Sequence, residues 1–187
     1  MSMIREYLDL VTQAIADLPE DKIQDMVDTL NAAHAQGRQV FVFGNGGSAA
    51  TASHVAEDLQ KGVKECTGKR FKVMSLTDCT PLICAWANDN GYDCIFAEQL
   101  DSFLEPGDVV IAISGSGNSP NVIKAVEKAN AMGAITIGWS GFAGGKLAQL
   151  AQKSIVVNSD NMQRIEDVHM VLGHLAFACL MKQCGRG

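Results

Sequence analysis

Positive charge is scarce in this sequence. Its 187 residues include 15 Lys or Arg against 21 Asp or Glu, which gives a net charge of −6. The one basic cluster is Lys69-Arg70 with Lys72. Because a surface that binds nucleic acid needs a basic stripe to neutralise phosphates, the sequence argues against a nucleic-acid partner.

Long apolar runs are also missing. No stretch approaches the ~18 apolar residues that a membrane-spanning helix requires. The amino-terminal segment Met1–Ala16 mixes charged with apolar residues, unlike a signal peptide. With 47% hydrophobic and 19% charged residues, the composition is that of an ordinary globular protein. We therefore expect a cytoplasmic protein without a membrane partner.

The cysteines include no Cys-x-x-Cys pair, which argues against a zinc ribbon and a thioredoxin-like site. Their even number would suit disulfides in a secreted protein, but nothing in the sequence indicates secretion. We expect reduced and mostly buried thiols at Cys66, Cys79, Cys84, Cys94, Cys179 and Cys184.

The sequence also lacks internal repeats, low-complexity segments and any linker long enough to divide domains, so we expect one domain over residues 1–187. The first 37 residues are predicted to form two helices, because apolar residues recur at helical spacing on both sides of a break at Leu18-Pro19. Gly37 is expected to end the second helix.

Beyond residue 37, short apolar runs alternate with helical patterns, which predicts right-handed βαβ units and a parallel sheet covered on both faces. The predicted strands are 39–43, 71–76, 108–113, 134–138 and 154–157. The predicted helices between them are 49–60, 81–88, 94–104, 120–131 and 144–151. A last helix, 162–182, is apolar on most sides and is expected to be buried, as helices between subunits often are.

Two predicted strands end in loops rich in Gly, Asn and Ser. These loops are Gly44-Asn-Gly-Gly-Ser48 and Ser114-Gly-Ser-Gly-Asn-Ser119, and each opens a helix. In open α/β sheets, ligands bind at the carboxyl ends of the strands. Glycines allow close approach, and free N–H groups at a helix start attract an anion. The two loops together favour a phosphate site over two merely tight turns, although neither has the Walker or the dinucleotide-binding pattern.

Four further side chains are candidates for metal binding. His54 and Asp58 are four residues apart on one helical face, so they could chelate a divalent ion or form a plain local hydrogen bond. Glu166 and His174 in the last helix are roughly 12 Å apart along its axis. One ion can reach both only if that helix is distorted or a second subunit contributes.

Taken together, these residues resemble the sugar isomerase (SIS) domain family, and more closely its phosphoheptose isomerase branch, over nearly the whole chain. No single loop is specific for this family, but the set of motifs in this order is. The set comprises Gly44-Asn-Gly-Gly-Ser-Ala49, His54, Asn88-Asp89, Ser114-Gly-Ser-Gly-Asn-Ser-Pro-Asn121, Gly144-Gly-Lys146, Arg164-Ile-Glu-Asp-Val-His169 and His174.

The resemblance implies a three-layer αβα fold with five parallel strands and a homotetramer whose active sites lie between subunits. Residues 1–37 and the last helix would pack at the subunit interfaces. Because Glu166 and His174 lie far apart along one helix, we expect the last helix of a neighbouring subunit to cover the two glycine-rich loops.

The resemblance also implies the residues of the site. One zinc ion per subunit would be bound by His54, Asp58, Glu166 and His174. Asn88 and Asp89 would line the sugar site. The substrate and its phosphate would be held by Asn45, Gly46, Gly47, Ser48, Ser114, Gly115, Ser116 and Ser119, together with Glu166.

The sequence departs from the family pattern at several places. Asp58 stands where glutamate is usual and Glu166 where glutamine is usual, and both keep an oxygen ligand. Gln60-Lys61-Gly62 lacks the arginine expected a few positions after the carboxylate, and Gly115 replaces the threonine of a Ser-Thr-Ser motif. These changes bear on the identity of the sugar more than on the phosphate site.

The activity implied is aldose–ketose isomerisation through a metal-assisted enediol, from sedoheptulose 7-phosphate to D-glycero-D-manno-heptose 7-phosphate or a closely related pair. Asp58 would be the general base and His174 its acid/base partner. The alternatives are a non-catalytic SIS-domain scaffold of the kind that associates with a replication initiator, and a phosphosugar-sensing regulator. Retention of both histidines and both carboxylates favours the enzyme, and a regulator usually carries a fused DNA-binding region that this sequence does not show.

Overall fold

The computed structural model of the protein describes residues 2–183. Its helices are α1 (Met3–Ala16), α2 (Glu20–Gln36), α3 (Gly47–Thr67), α4 (Thr80–Asp89), α5 (Ala97–Phe103), α6 (Pro120–Ala131), α7 (Leu147–Leu150) and α8 (Met162–Gln183). Its strands are β1 (Gln39–Gly44), β2 (Lys72–Ser75), β3 (Val109–Ile113), β4 (Ile135–Ser140) and β5 (Lys153–Val156). A short 3-10 turn covers Tyr92–Cys94.

The five strands form one parallel sheet in the order β2-β1-β3-β4-β5. β2 therefore lies on one side of β1, whereas β3, β4 and β5 follow one another on its other side. The direction in which strands are added reverses between β1 and β3. Ligands bind at such a reversal in doubly wound sheets. The two glycine-rich loops follow β1 and β3, so they lie side by side at this position, and the predicted parallel sheet is confirmed.

Helices cover both faces of the sheet, which confirms the predicted three layers. Side chains alternate along each strand, so Val40 and Val42 pack in a core with α2, α3 and α8. Phe41 and Phe43 face the opposite side, in a core with α5, α6 and α7. All four side chains are fully buried, and burial of each such side chain stabilises the fold by about 1.5–3 kcal/mol.

The helix boundaries differ from prediction where glycine or turn geometry intervenes. α3 begins earlier and ends later than predicted, at Gly68 in the left-handed conformation (φ 71°). α7 is only four residues long, because Gly144 (φ 85°) and Gly145 (φ 57°) cannot continue a helix. The single helix predicted at 94–104 is a 3-10 turn followed by α5.

α3 and α8 run side by side in the same direction, because residues later in α3 contact residues later in α8. A Cβ atom at Gly173 would lie 2.7 Å from Val55 Cγ2, and one at Gly62 would lie 2.3 Å from Phe177 Cζ. The two glycines therefore allow the helices to approach closely. Gly62 belongs to the segment that lacks the family's arginine, and the Phe177 ring fills the space beside it.

The outer face of α1 is apolar and exposed. Ala14 is its one buried residue, whereas Met3, Ile4 and Leu8 are 83%, 74% and 49% exposed. The Tyr7 hydroxyl donates a 2.6 Å hydrogen bond to Asp167 and so ties α1 to α8. Within residues 2–183, no helix combines the length and the apolar character needed to span a membrane.

The expectation that the thiols are mostly buried was wrong. Cys79 and Cys84 are exposed, and Cys66, Cys94 and Cys179 are half-buried. Cys84 lies on α4 and Cys79 is its N-cap, and α4 has no buried residue. Its side chains therefore stay in contact with solvent. Cys184 lies outside the described residues.

His169 joins α8 to the end of β4. Its side chain is fully buried, and its Nε2 lies 3.2 Å from the Ser140 carbonyl oxygen. Because a carbonyl oxygen only accepts, Nε2 carries the proton and donates it. Burial lowers the pKa of His169 to about 4 from 6.5, against the smaller opposite effect of the hydrogen bond to Ser140. The folded protein therefore holds this imidazole in its neutral form.

We predict that His169 makes the fold sensitive to acid. The folded pKa is lowered, so its contribution to stability is complete above the unfolded value of 6.5 and is lost as the pH falls toward 4. The free energy of unfolding, measured by urea denaturation, should fall by about 2.5 kcal/mol more in the parent than in His169→Gln over this interval. Glutamine can keep the hydrogen bond to Ser140 but does not titrate. Equal losses in the two proteins would contradict the prediction.

Candidate functional site

Two helix amino termini point into the gap between β1 and β3. α3 starts at Gly47, directly after β1, and α6 starts at Pro120, after the loop that follows β3. The N-cap residues Gly46 and Ser119 make no side-chain capping hydrogen bond. In α6, Pro120 has no N–H and the Val122 N–H already donates to Asn121 Oδ1 at 3.0 Å, so α3 has the more open terminus. The helix dipoles favour an anion at both ends.

A cavity of about 200 Å³ lies between these helix termini. It brings together seven of the residues expected to bind substrate, namely Asn45, Ser48, Ser114, Gly115, Ser116, Ser119 and Glu166. Its two other lining residues, Ile113 and Met162, had no predicted role. Met162 could not be assigned to the cavity from sequence, because its position depends on how α8 packs over the loop.

Glycines bring the loops of the cavity together. A Cβ atom at Gly44 would lie 2.7 Å from the Ile113 carbonyl oxygen and 2.6 Å from Ser48 Cβ, so only glycine lets the start of α3 reach the end of β3. Similarly, a Cβ atom at Gly115 would lie 2.3 Å from the Met162 sulfur. The thioether therefore occupies the space that a larger residue at position 115 would fill.

Side-chain hydrogen bonds fix the cavity walls. The Asn45 and Asn121 amides exchange two hydrogen bonds of 2.9 Å, and the Tyr92 hydroxyl donates to Asn45 Oδ1 at 3.0 Å. The Ser114 and Ser119 hydroxyls lie 3.1 Å apart across their loop. Asn121 was part of the recognised motif, but its pairing with Asn45 joins two distant loops, so spacing alone could not reveal it.

A second group of side chains converges farther along α3 and α8. His54 Nε2 lies 3.0 Å from His174 Nε2, and Asp58 Oδ2 lies 3.5 Å from the first and 4.0 Å from the second. One ligand atom from each residue falls within 4.8 Å of the others. The Asp58 side chain is 20% exposed and those of His54 and His174 are 45% and 55% exposed, so the group opens to solvent.

The donor set of this group suits a divalent metal ion. Two imidazole nitrogens and a carboxylate oxygen face one point, and nitrogen and oxygen are the ligand atoms that zinc takes from His and Asp. Neutral imidazole Nε2 atoms coordinate through a lone pair. Without a metal ion, two imidazole nitrogens 3.0 Å apart can approach only if one of them carries a proton and donates it to the other.

One chain brings all three residues together, so no second subunit is needed to place His174 beside His54 and Asp58. The parallel packing of α3 and α8 brings both histidines together without a second chain. Glu166 does not join them, because it lies eight residues earlier on α8. Its carboxylate instead lies against Gly47, where a Cβ atom would be 2.4 Å from Oε2.

Asn88 and Asp89 lie apart from the cavity lining. They occupy the carboxyl end of α4, where both are exposed. The Asn88 amide donates a 2.7 Å hydrogen bond to Asp89 Oδ1. The nearby Tyr92, rather than either of them, makes the contact with Asn45.

Comparisons with known proteins agree with this geometry. The SIS domain family model matches residues 4–141. The phosphoheptose isomerase of Aquifex aeolicus is 40% identical over 165 residues, which cover 88% of this chain and 86% of that protein.

Solved structures of phosphoheptose isomerases superimpose closely. That from Francisella tularensis has a TM-score of 0.88 at 27% identity and covers 96% of both chains. That from Neisseria gonorrhoeae has a TM-score of 0.86 at 29% identity and covers 95% of this chain and 94% of its own. The chain therefore belongs to the SIS domain family, in the branch of the phosphoheptose isomerases, and it is an isomerase.

Proposed function

We propose that this isomerase converts sedoheptulose 7-phosphate to D-glycero-D-manno-heptose 7-phosphate through an enediol. One observation carries the proposal: an anion cavity and a His54–Asp58–His174 group lie at different points along the same pair of helices. Phosphate binding and proton transfer are thereby assigned to two ends of one extended ligand.

The cavity end suits the phosphate. The hydroxyls of Ser114, Ser116 and Ser119 supply hydrogen-bond donors where a phosphate needs them, and the helix dipoles at the amino termini of α3 and α6 favour its negative charge. Gly46 and Gly47 let the backbone approach it. Asn88 and Asp89 keep their proposed role at the sugar, toward the α4 side of the site.

The distance between the two ends bears on the length of the substrate. Gly47 and His54 are seven residues apart on α3, roughly 10 Å along its axis. A ligand whose phosphate lies in the cavity beside the start of α3 and whose reacting carbons lie near His54 needs an extended carbon chain. This requirement favours a long-chain ketose phosphate over a triose phosphate.

Proton transfer is assigned to Asp58 and His174. Asp58 Oδ2 faces both histidines, so Oδ1 is the oxygen that can take the proton between the two reacting carbons. His174 Nε2 faces His54, so Nδ1 is the nitrogen with which His174 can move the proton between the neighbouring oxygens. A zinc ion, one per subunit, would be held by His54, Asp58 and His174 and would stabilise negative charge that develops on the substrate oxygens.

We also propose a homotetramer of a chain that folds as one domain over residues 1–187. The exposed apolar face of α1 supports assembly, because contiguous apolar surface usually marks an interface. The non-catalytic scaffold is the weaker alternative, since a scaffold has no need of two histidines and a carboxylate whose facing atoms lie within 4.0 Å of one another.

An assay of ketose phosphates tests the proposal. The protein, supplied with zinc, should form an aldose from sedoheptulose 7-phosphate faster than from fructose 6-phosphate or ribulose 5-phosphate. Asp58→Asn should lower kcat by about 100-fold or more, because it removes the base. Glu57→Gln, which removes the neighbouring exposed carboxylate, should leave kcat within about two-fold of the parent.

Two results would contradict the proposal. If none of the three ketose phosphates yields an aldose, the activity is wrong. If Asp58→Asn turns over as fast as the parent, the base lies elsewhere.

Metal binding forms a separate prediction. His54→Ala should lose at least about 100-fold in zinc affinity, because it removes a direct ligand and such losses already accompany outer-shell changes. Competition with a chromophoric chelator would measure the affinity. The control is His34→Ala, which removes a half-buried histidine of α2 outside the group. Equal affinities in all three proteins would place the metal elsewhere.

A further inference from the structure

Tyr92 contacts the wall of the phosphate cavity from outside its lining. Its side chain is 56% exposed, yet its hydroxyl donates a 3.0 Å hydrogen bond to Oδ1 of Asn45, which lines the cavity. The proposed reaction assigns no role to this hydroxyl. Because an exposed hydroxyl can bond equally well to water, its contact with a cavity residue needs an explanation of its own.

Two features of the chain hold Tyr92 at this place. Gly91, which precedes it, has φ 104°, a conformation that other residues rarely adopt, and so it turns the chain sharply after α4. Asp93, which follows it, pairs with Lys124 of α6, about one turn after Asn121 on that helix. The tyrosine is therefore placed beside the helix that carries Asn121.

A backbone hydrogen bond fixes the orientation of the Asn45–Asn121 amide pair. The Val122 N–H donates to Asn121 Oδ1 at 3.0 Å, and only an oxygen can accept at that position. Asn121 Oδ1 also accepts from Asn45 Nδ2, so Asn121 Nδ2 must be the group that donates to Asn45 Oδ1. Asn121 is 2% exposed, which keeps water from replacing these bonds.

The Tyr92 hydroxyl completes the hydrogen bonding of the Asn45 oxygen. A carbonyl oxygen has two lone pairs, and Asn121 Nδ2 and the Tyr92 hydroxyl take one each. The Asn45 amide nitrogen carries two N–H groups, of which one donates to Asn121, whereas the other has no partner within residues 2–183. Asn45 therefore presents a hydrogen-bond donor and no acceptor to a ligand in the cavity.

We propose that Tyr92 is a positioning residue that makes Asn45 a donor-only contact for the phosphate of the substrate. A phosphate oxygen accepts hydrogen bonds, so it matches the free N–H of Asn45 and would be mismatched to an open lone pair of Oδ1. In this role Tyr92 acts through Asn45 and not by contact with the ligand. The inference rests on the proposed function, because it takes the cavity as the phosphate site.

The variant Tyr92→Phe tests this role, because it keeps the ring and removes only the hydroxyl. With sedoheptulose 7-phosphate as the substrate, KM should rise about five-fold, the effect of one neutral hydrogen bond. The value of kcat should stay within about two-fold of the parent, because proton transfer is assigned to Asp58 and His174.

The matched control is Tyr7→Phe, the same substitution at the other of the two tyrosines in the chain. It removes the hydroxyl that bonds to Asp167 on α8, outside the cavity lining. Both KM and kcat of this variant should stay within about two-fold of the parent.

A double-mutant cycle tests whether Tyr92 acts through Asn45. Asn45→Ala removes the side chain that Tyr92 is proposed to orient, so adding Tyr92→Phe to this variant should change KM by less than about two-fold. An effect of Tyr92→Phe on folding alone would lower the melting temperature and would persist in the Asn45→Ala background.

The possible outcomes separate the inference from the proposed function. An unchanged KM in Tyr92→Phe would overturn the inference, and so would an equal rise of KM in both backgrounds, because Tyr92 would then act on the ligand directly or on the fold. If the parent does not convert sedoheptulose 7-phosphate, the proposed function fails, and the same variants are compared by isothermal titration with inorganic phosphate. If the parent binds no phosphate either, the cavity assignment and the inference fail together.

Discussion

The parallel packing of α3 against α8 determines where each reactive side chain lies. Close contact through Gly62 and Gly173 fixes the register of the two helices. Their amino-terminal ends then bring Glu166 against Gly47, and their middle turns bring His174 against His54 and Asp58. A shift of one helix by a single turn, about 5.4 Å, would separate both pairs at once. The distance between phosphate binding and proposed chemistry is therefore a property of this helix pair.

The sheet contributes the other constraint, because its strand order reverses between β1 and β3. Two helices start at adjacent strand ends beside one cavity, and the reciprocal amide pair of Asn45 and Asn121 holds the two loops together. No lysine or arginine lines the cavity. The electrostatics of the cavity therefore depend on backbone dipoles and on Glu166 more than on any other residue.

Much of this could be predicted from the sequence. Apolar runs followed by glycine-rich loops predicted the strands and the ligand-bearing edge, because period and turn chemistry are local properties. The four-residue spacing of His54 and Asp58 placed them on one face for the same reason. The addition of His174 from the same chain was not predicted, since the register between two helices is set by tertiary packing. Glu166 was expected among the substrate-binding residues and does line the cavity, but its contact with Gly47 depends on helix packing and was not predicted. The length of the helix did indicate that Glu166 and His174 could not share one ion. The exposure of Cys79 and Cys84 was also missed, because it depends on how little of α4 the core covers.

The most direct test is a crystal structure of the protein with sedoheptulose 7-phosphate bound. The phosphate should lie in the cavity lined by the Ser114–Ser119 loop. The first two carbons of the ketose should lie within hydrogen-bonding reach of Asp58 and His174. A phosphate bound outside this cavity, or a carbonyl end that points away from the histidines, would contradict the assignment of binding and chemistry to the two ends of the α3–α8 pair.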